Sequence, residues 1–145
     1  MAIYTKTGDK GETGLYSGKR VYKDDLIIEV LGNLDEANSW LGVVGGLTKI
    51  QKDLMTICSI LAGAKLEFTA TKTKALEEKI DKLEKDLPPL DHFVLPWGNL
   101  MYGRALVRRA ERSLVKLSKS QPVSPAILTY INRLSDYLFM LSRKD

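Results

Sequence analysis

Along most of the chain apolar side chains return every three or four positions, and almost nowhere every second one. Val30, Leu34, Ala37, Leu41 and Val44 lie on one side of a helix, which the spacing predicts from about Asp25 to Gly45. Gly45 and Gly46 supply the permissive backbone that ends it. The same spacing predicts a second helix through Ile50, Leu54, Ile57, Leu61 and Ala64. A third runs through Leu76, Ile80, Leu83 and Leu87 until Pro88 and Pro89 stop it. After the break PPLDHFVLPWGN, a fourth helix carries Val107, Ala110, Leu114 and Leu117. Ser124 and Pro125 then form an N-cap and first-turn pair for a fifth, with Ile127, Ile131, Leu134, Leu138 and Leu141 as its buried stripe. YSGKRVYK is the nearest approach to a strand. The expected fold is all-α: a five-helix up-and-down bundle at 25–145, preceded by a glycine-rich N-terminal loop at 1–24, in one domain.

Composition narrows the chemistry. No apolar run nears the roughly 18 residues of a membrane span, and the N-terminus lacks the layout of a signal peptide, so a soluble, cytoplasmic protein with no membrane partner is expected. Cys58 is the single cysteine and His92 the single histidine. One cysteine excludes an intrachain disulfide, a zinc cluster is not expected of so few ligands, no Cys–His or Ser–His–Asp triad is expected from the side chains at hand, and no metal ligands are expected of the protein. A net charge of +4 leans mildly toward anionic partners.

Five stretches carry candidate chemistry. In YTKTGDKGETGLYSGKR, Gly8, Gly11 and Gly14 let backbone N–H groups approach an anion, Thr5, Thr7 and Thr13 add hydroxyls, and Lys6, Lys10 and Lys19 add charge. It is not a Walker A loop, because GLYSGK is one residue short between its glycines and Arg20 follows Lys19. The same composition suits a plain solvated loop. In RALVRRAER, Arg104, Arg108, Glu111 and Arg112 share one side of the fourth helix, with Arg109 about 100° from Arg108. They form either an anion-binding face or an exposed one with an arginine–glutamate pair. Asn132, Ser135 and Asp136 in INRLSDYL, and Asp35 with Asn38 in the first helix, are polar positions beside apolar stripes that call for partners. In HFVLPWG, Phe93 stands between prolines, either filling core or projecting into a pocket, while His92 reads as a surface residue.

These blocks, in this order, resemble the PduO-type ATP:cob(I)alamin adenosyltransferase family: YTKTGDKGETGLYSGKRVYKDD, GNLDEANSWLG, HFVLPWG, RRAER and INRLSDYLF. The resemblance implies a homotrimer of five-helix bundles with sites between subunits. It implies transfer of the 5′-deoxyadenosyl group of ATP, with magnesium, to cob(I)alamin, and release of triphosphate. It assigns ATP binding to Thr5, Lys6, Gly8, Asp9, Gly11, Thr13 and Lys23 of a loop that orders around the nucleotide, and to Arg108, Arg109, Glu111 and Asn132. Arg108 and Phe93 take the catalytic roles, Phe93 by pressing on the lower face of the corrin. Asp35 and Arg104 are implied to pair across the subunit interface, and a corrinoid reductase is an implied partner. The chain departs from the family in reading Leu95-Pro96-Trp97-Gly98 for LPGG, and its connection from that turn to RRAER is about five residues shorter. It has no Asp-x-His-x-x-Gly segment, so a cobalamin held by a protein histidine is not expected. Two other readings stand beside this one: a non-catalytic basic helical module for nucleotide or nucleic acid, and a magnesium-dependent ATPase.

Overall fold

The computed structural model of the protein describes residues 2–144. Five helices follow a small hairpin: β1 (Glu12–Gly14), β2 (Arg20–Tyr22), α1 (Leu26–Val44), α2 (Thr48–Leu61), α3 (Thr71–Asp86), α4 (Gly98–Ser118) and α5 (Pro125–Lys144). The Asp25 carboxylate caps α1 by accepting from the Ile27 N–H at 3.1 Å. At its other end Gly45, at φ 80°, returns its N–H to the Leu41 carbonyl.

The predicted stripes are the core. Val30, Leu34, Ala37 and Leu41 of α1, Val107, Ala110, Leu114 and Leu117 of α4, and Ile127, Ile131, Leu134 and Leu138 of α5 are all buried. α4 runs antiparallel between α1 and α5, and cross-links fix its register on α1. Asn33 donates to Ser113 at 3.0 Å, Arg109 pairs with Glu36, and Trp40 donates its indole N–H to the Asn99 carbonyl at 2.8 Å. α2 leans on α1 through two amide bonds of 3.2 Å, from Asn38 to the Gln51 carbonyl and from Gln51 back to that of Asn38. The polar Asn38 is thereby an interhelix tie. α3 covers α5 with a narrow apolar edge and turns all its lysines but Lys72 outward. None of the described helices is long and apolar enough to cross a membrane.

Three expectations shift. α2 ends at Leu61, because Gly63 takes φ 109° and breaks the helix before Ala64. Val44, Leu61, Leu87 and Leu141, at the ends of their stripes, are half-buried where the layers open to solvent. The loop contains a true antiparallel hairpin, in which Thr13 faces Val21 and Val21 is buried. Three residues per strand are too few for a period of two to stand out.

One buried polar cluster joins three helices. Asp53 of α2 accepts from the Tyr130 hydroxyl of α5 at 3.0 Å and pairs with Lys72 of α3 at 2.9 Å. Tyr130 is wholly buried, with Phe68 edge-on at 5.0 Å between ring centres. Burial first, and then the Asp53 charge, push its phenol far above the usual range.

Candidate functional site

The glycine-rich loop is held at one end of the bundle. Ser17 donates its N–H to the Ala62 carbonyl at 3.0 Å. A side chain at Gly63 would lie 2.7 Å from the Ser17 Cβ, so glycine is what lets the hairpin dock on the end of α2. Within the loop, Lys23 donates its backbone N–H to the Gly11 carbonyl at 2.8 Å, and its ammonium lies so close to Gly8 that a Cβ there would be 3.2 Å away. Lys6 takes φ 63°, in the left-handed region that non-glycine residues seldom adopt. Thr5 and Thr7 share a hydroxyl bond of 2.8 Å, and the Arg20 guanidinium holds the Thr7 carbonyl at 2.9 Å. Lys6, Gly8, Gly11 and Lys23 are thus one cationic, glycine-lined turn.

A second group forms on α4 and α5. Glu111 accepts from the Asn132 amide at 2.7 Å, joining RRAER to NRLSD. Arg109 is held at 2.7 Å by Glu36 of α1, with both side chains about half exposed. Arg108 is exposed and, among the described residues, makes no ion pair. Asp136 pairs with Arg133 at 3.3 Å, and the buried Ser135 returns its hydroxyl to the Asn132 carbonyl at 2.8 Å. Those two satisfy α5 locally. The outward array is Arg108, Arg109, Glu111 and Asn132 on adjoining helices, with Arg112 one turn on from Arg108, exposed and likewise without an ion pair among the described residues.

The two groups lie apart within one chain. Glu36, opposite Arg109, is about 15 Å along α1 from its first residue, at 1.5 Å of rise per residue. The loop enters at that first residue, and no hydrogen bond among the described residues joins it to α4 or α5. Asp35 and Arg104 likewise do not meet. Asp35 is exposed on a groove of about 530 Å³ between α1 and α2, near Tyr16, Met55 and Cys58. Burial, and secondarily the Asp35 charge, push the Cys58 thiol up to about 11, so it is protonated at neutral pH. Arg104 is half-buried on the other side of the bundle, its guanidinium 5.7 Å from the ring centre of Phe139.

Phe93 fills no core. It is fully exposed, with Leu95 at 80% and Trp97 at 71%, on an irregular segment before α4. Of the two sequence readings, filling this chain's own core is the one its exposure overturns. His92 is exposed beside Asp91, as a surface histidine should be. Glu36 and the Asp53–Tyr130–Lys72 cluster were not singled out in the sequence. Asp53 does stand next to Leu54 in the α2 stripe, and a carboxylate there signals a buried partner.

Comparison with known proteins bears on what these groups serve. The sequence model of the family described as cobalamin adenosyltransferase matches residues 3–145. The chain is 38% identical to the corrinoid adenosyltransferase of Bacillus subtilis, over 99% of its own length and 86% of the relative's. It is 39% identical to the human corrinoid adenosyltransferase MMAB, over 97% of its length and 67% of the relative's. Its fold superimposes, with a TM-score of 0.93 and 34% identity, on a variant of the PduO-type ATP:corrinoid adenosyltransferase from Lactobacillus reuteri complexed with cobalamin and ATP. That match covers 98% of this chain and 89% of the other. The chain belongs to the cobalamin adenosyltransferase family, among its PduO-type members. The alignment with the Bacillus protein runs to 166 positions against 145 residues here, so the relative has internal residues that this chain lacks. None of these similarities supports a nucleic-acid-binding module.

Proposed function

We propose that the chain transfers the 5′-deoxyadenosyl group of ATP to the cobalt of cob(I)alamin and releases triphosphate, in sites assembled between copies of a homotrimer. The observation that carries this reading is the array on α4 and α5: Arg108 exposed and unpaired among the described residues, beside Arg109 oriented by Glu36 and Glu111 joined to Asn132. Such a face has cations to spare for a polyphosphate and neutral or acidic groups for the sugar and base. The glycine-lined turn of Lys6, Gly8, Gly11 and Lys23, with Thr5, Asp9 and Thr13 on the same loop, is the complementary half. Its distance from α4 in one chain favours supply from a neighbour, with Asp35 and Arg104 pairing across the same boundary.

The reaction asks little covalent chemistry of the protein. The cobalt lone pair forms the bond to the 5′-carbon, the bond from that carbon to oxygen breaks, and its electrons leave with triphosphate. The protein aligns the carbon with cobalt and stabilises the departing charge. Arg108 does this at the phosphates, Arg109 and Lys23 support it, and the loop N–H groups close over them. Among the described residues no three acidic, histidine or cysteine side chains gather to hold a metal. Magnesium in this reading arrives with ATP, bound to its phosphates. Phe93, fully exposed, is available to press on the corrin and displace its lower axial ligand. A corrinoid reductase then supplies the electron, and a cytoplasmic location fits the reducing chemistry.

The test is anaerobic incubation with ATP, magnesium and cob(I)alamin. Adenosylcobalamin and intact triphosphate should form in equal amounts. Release of phosphate or diphosphate without a corrinoid product would favour the ATPase reading instead. Two variants examine the parts. Glu36→Gln should raise the KM for ATP about fivefold through loss of a charge-assisted bond to Arg109. It should leave the KM for cobalamin and the melting temperature unchanged, since an exposed pair contributes under about 1 kcal/mol. Phe93→Ala should lose more rate from cob(II)alamin with a reductant than from free cob(I)alamin, and equal losses would count against ligand displacement.

A further inference from the structure

We propose that Arg20 is the positioning residue of the glycine-lined turn: its guanidinium, bonded to the Thr7 carbonyl, holds the N–H groups from Thr7 to Gly11 in the arrangement that meets a nucleotide's phosphates. This rests on the nucleotide site of the transferase reading above. The turn holds itself weakly. Its own backbone bonds, from the Asp9 N–H to the Lys6 carbonyl and from the Gly11 N–H to the Gly8 carbonyl, are both 3.4 Å, longer than an ordinary N–H···O bond. Two shorter bonds tie it to β2 and the residue that follows. At its end the Lys23 N–H reaches the Gly11 carbonyl at 2.8 Å, and at its start Arg20 reaches the Thr7 carbonyl at 2.9 Å. The second is made next to Lys6, whose φ of 63° persists only where surrounding contacts enforce it.

The hairpin explains how the arginine reaches across. Its register sets Arg20 directly opposite Gly14. The side chain passes over that glycine, since a Cβ there would stand 3.7 Å from Arg20 Nη1 and 4.0 Å from its Cδ. Gly14 lies outside the left-handed region, so what the position supplies is open space above the strand. A branched side chain at Gly14 would occupy the arginine's path. No carboxylate pairs with Arg20 among the described residues, and a carbonyl accepts its bond without neutralising the charge. A planar guanidinium also gives that bond a direction that an ammonium does not.

ATP is titrated into the protein by calorimetry, and amide hydrogen exchange is followed without nucleotide. Arg20→Ala should raise the dissociation constant for ATP about fivefold, because an unfixed turn binds only in the fraction of time it is correctly arranged. Exchange should quicken from Thr7 to Gly11 and stay as it was in α1 and α4. Turnover at saturating ATP should fall less than about twofold, since bound nucleotide then holds the turn itself. Gly14→Val should reproduce the loss of affinity with Arg20 still present, and the double variant should be no worse than either alone. Arg20→Lys should recover part of it. Unchanged ATP affinity in Arg20→Ala would overturn the proposal, and so would losses that add in the double variant. A large fall in turnover at saturating ATP would overturn it too, by putting Arg20 in direct contact with the departing phosphates. A wild-type protein that binds ATP and forms no adenosylcobalamin would instead remove the transferase reading, while the arginine's effect on ATP affinity would stand.

Discussion

Arg108→Ala should lower turnover about 10²- to 10³-fold, the loss that follows removal of one preorganised donor from a developing anion. The expectation follows from how α4 distributes its cations. Arg109 is already engaged with Glu36 at 2.7 Å, Arg104 lies over the Phe139 ring, and Arg112, exposed like Arg108, stands a turn farther from Arg109 and the Glu36 pair. Arg108 is exposed and has no ion pair among the described residues, so its whole charge is available to triphosphate. Because it is exposed, the substitution should leave the melting temperature within about a degree, and lost turnover then reports chemistry. Arg108→Lys should recover part of the rate, since an ammonium keeps the charge and loses the two-pronged geometry. A near-normal rate for Arg108→Ala would move the triphosphate clamp elsewhere.

Asp53→Ala should be the most damaging single change to stability outside the apolar core. It strands the Tyr130 hydroxyl in a fully buried position and frees Lys72 from its partner. An unsatisfied buried hydroxyl costs about 1–3 kcal/mol, and the cavity adds to it. Equilibrium urea unfolding measures the loss directly. Tyr130→Phe in the Asp53→Ala background should recover part of the stability, because it removes the stranded group. The folded state also holds Tyr130 and Cys58 protonated. Each has its pKa raised on folding, so their contribution is complete below the unfolded values of about 10 and 9 and declines as pH rises beyond them. Stability should therefore fall on the alkaline side, Cys58 contributing from about pH 9 upward.

The bundle was legible because its signal is long. Val30 to Leu41 and Val107 to Leu117 each repeat the helical spacing often enough to fix both the element and its buried face. Boundaries were less so, since one glycine conformation at Gly63 decides where α2 stops. The hairpin was hidden by its brevity. The chemistry divides differently. Spacing alone left the arginine face open between two readings, and the ordered blocks supplied the family. What only the fold could supply were pairings between distant segments: Glu36 with Arg109, Asn132 with Glu111, Asp53 with Tyr130. The separation of the loop from α4 in a single chain belongs with them. Exposure at Phe93 is also a tertiary fact, because a phenylalanine between prolines reads equally well as core.

The central claim is that one copy's glycine-rich loop completes the arginine array of its neighbour, and subunit mixing tests it most directly. Lys6→Ala with Lys23→Ala cripples the loop, and Arg108→Ala cripples the array. Each variant alone should have little activity. Co-expressed in equal amounts, random mixed assemblies of a shared-site enzyme have about a quarter of their sites with both halves intact, and adenosylcobalamin formation should return to about that fraction of the wild-type rate. Mixed assemblies that stay as inactive as the two variants alone would contradict the account, because each site would then be built within one chain.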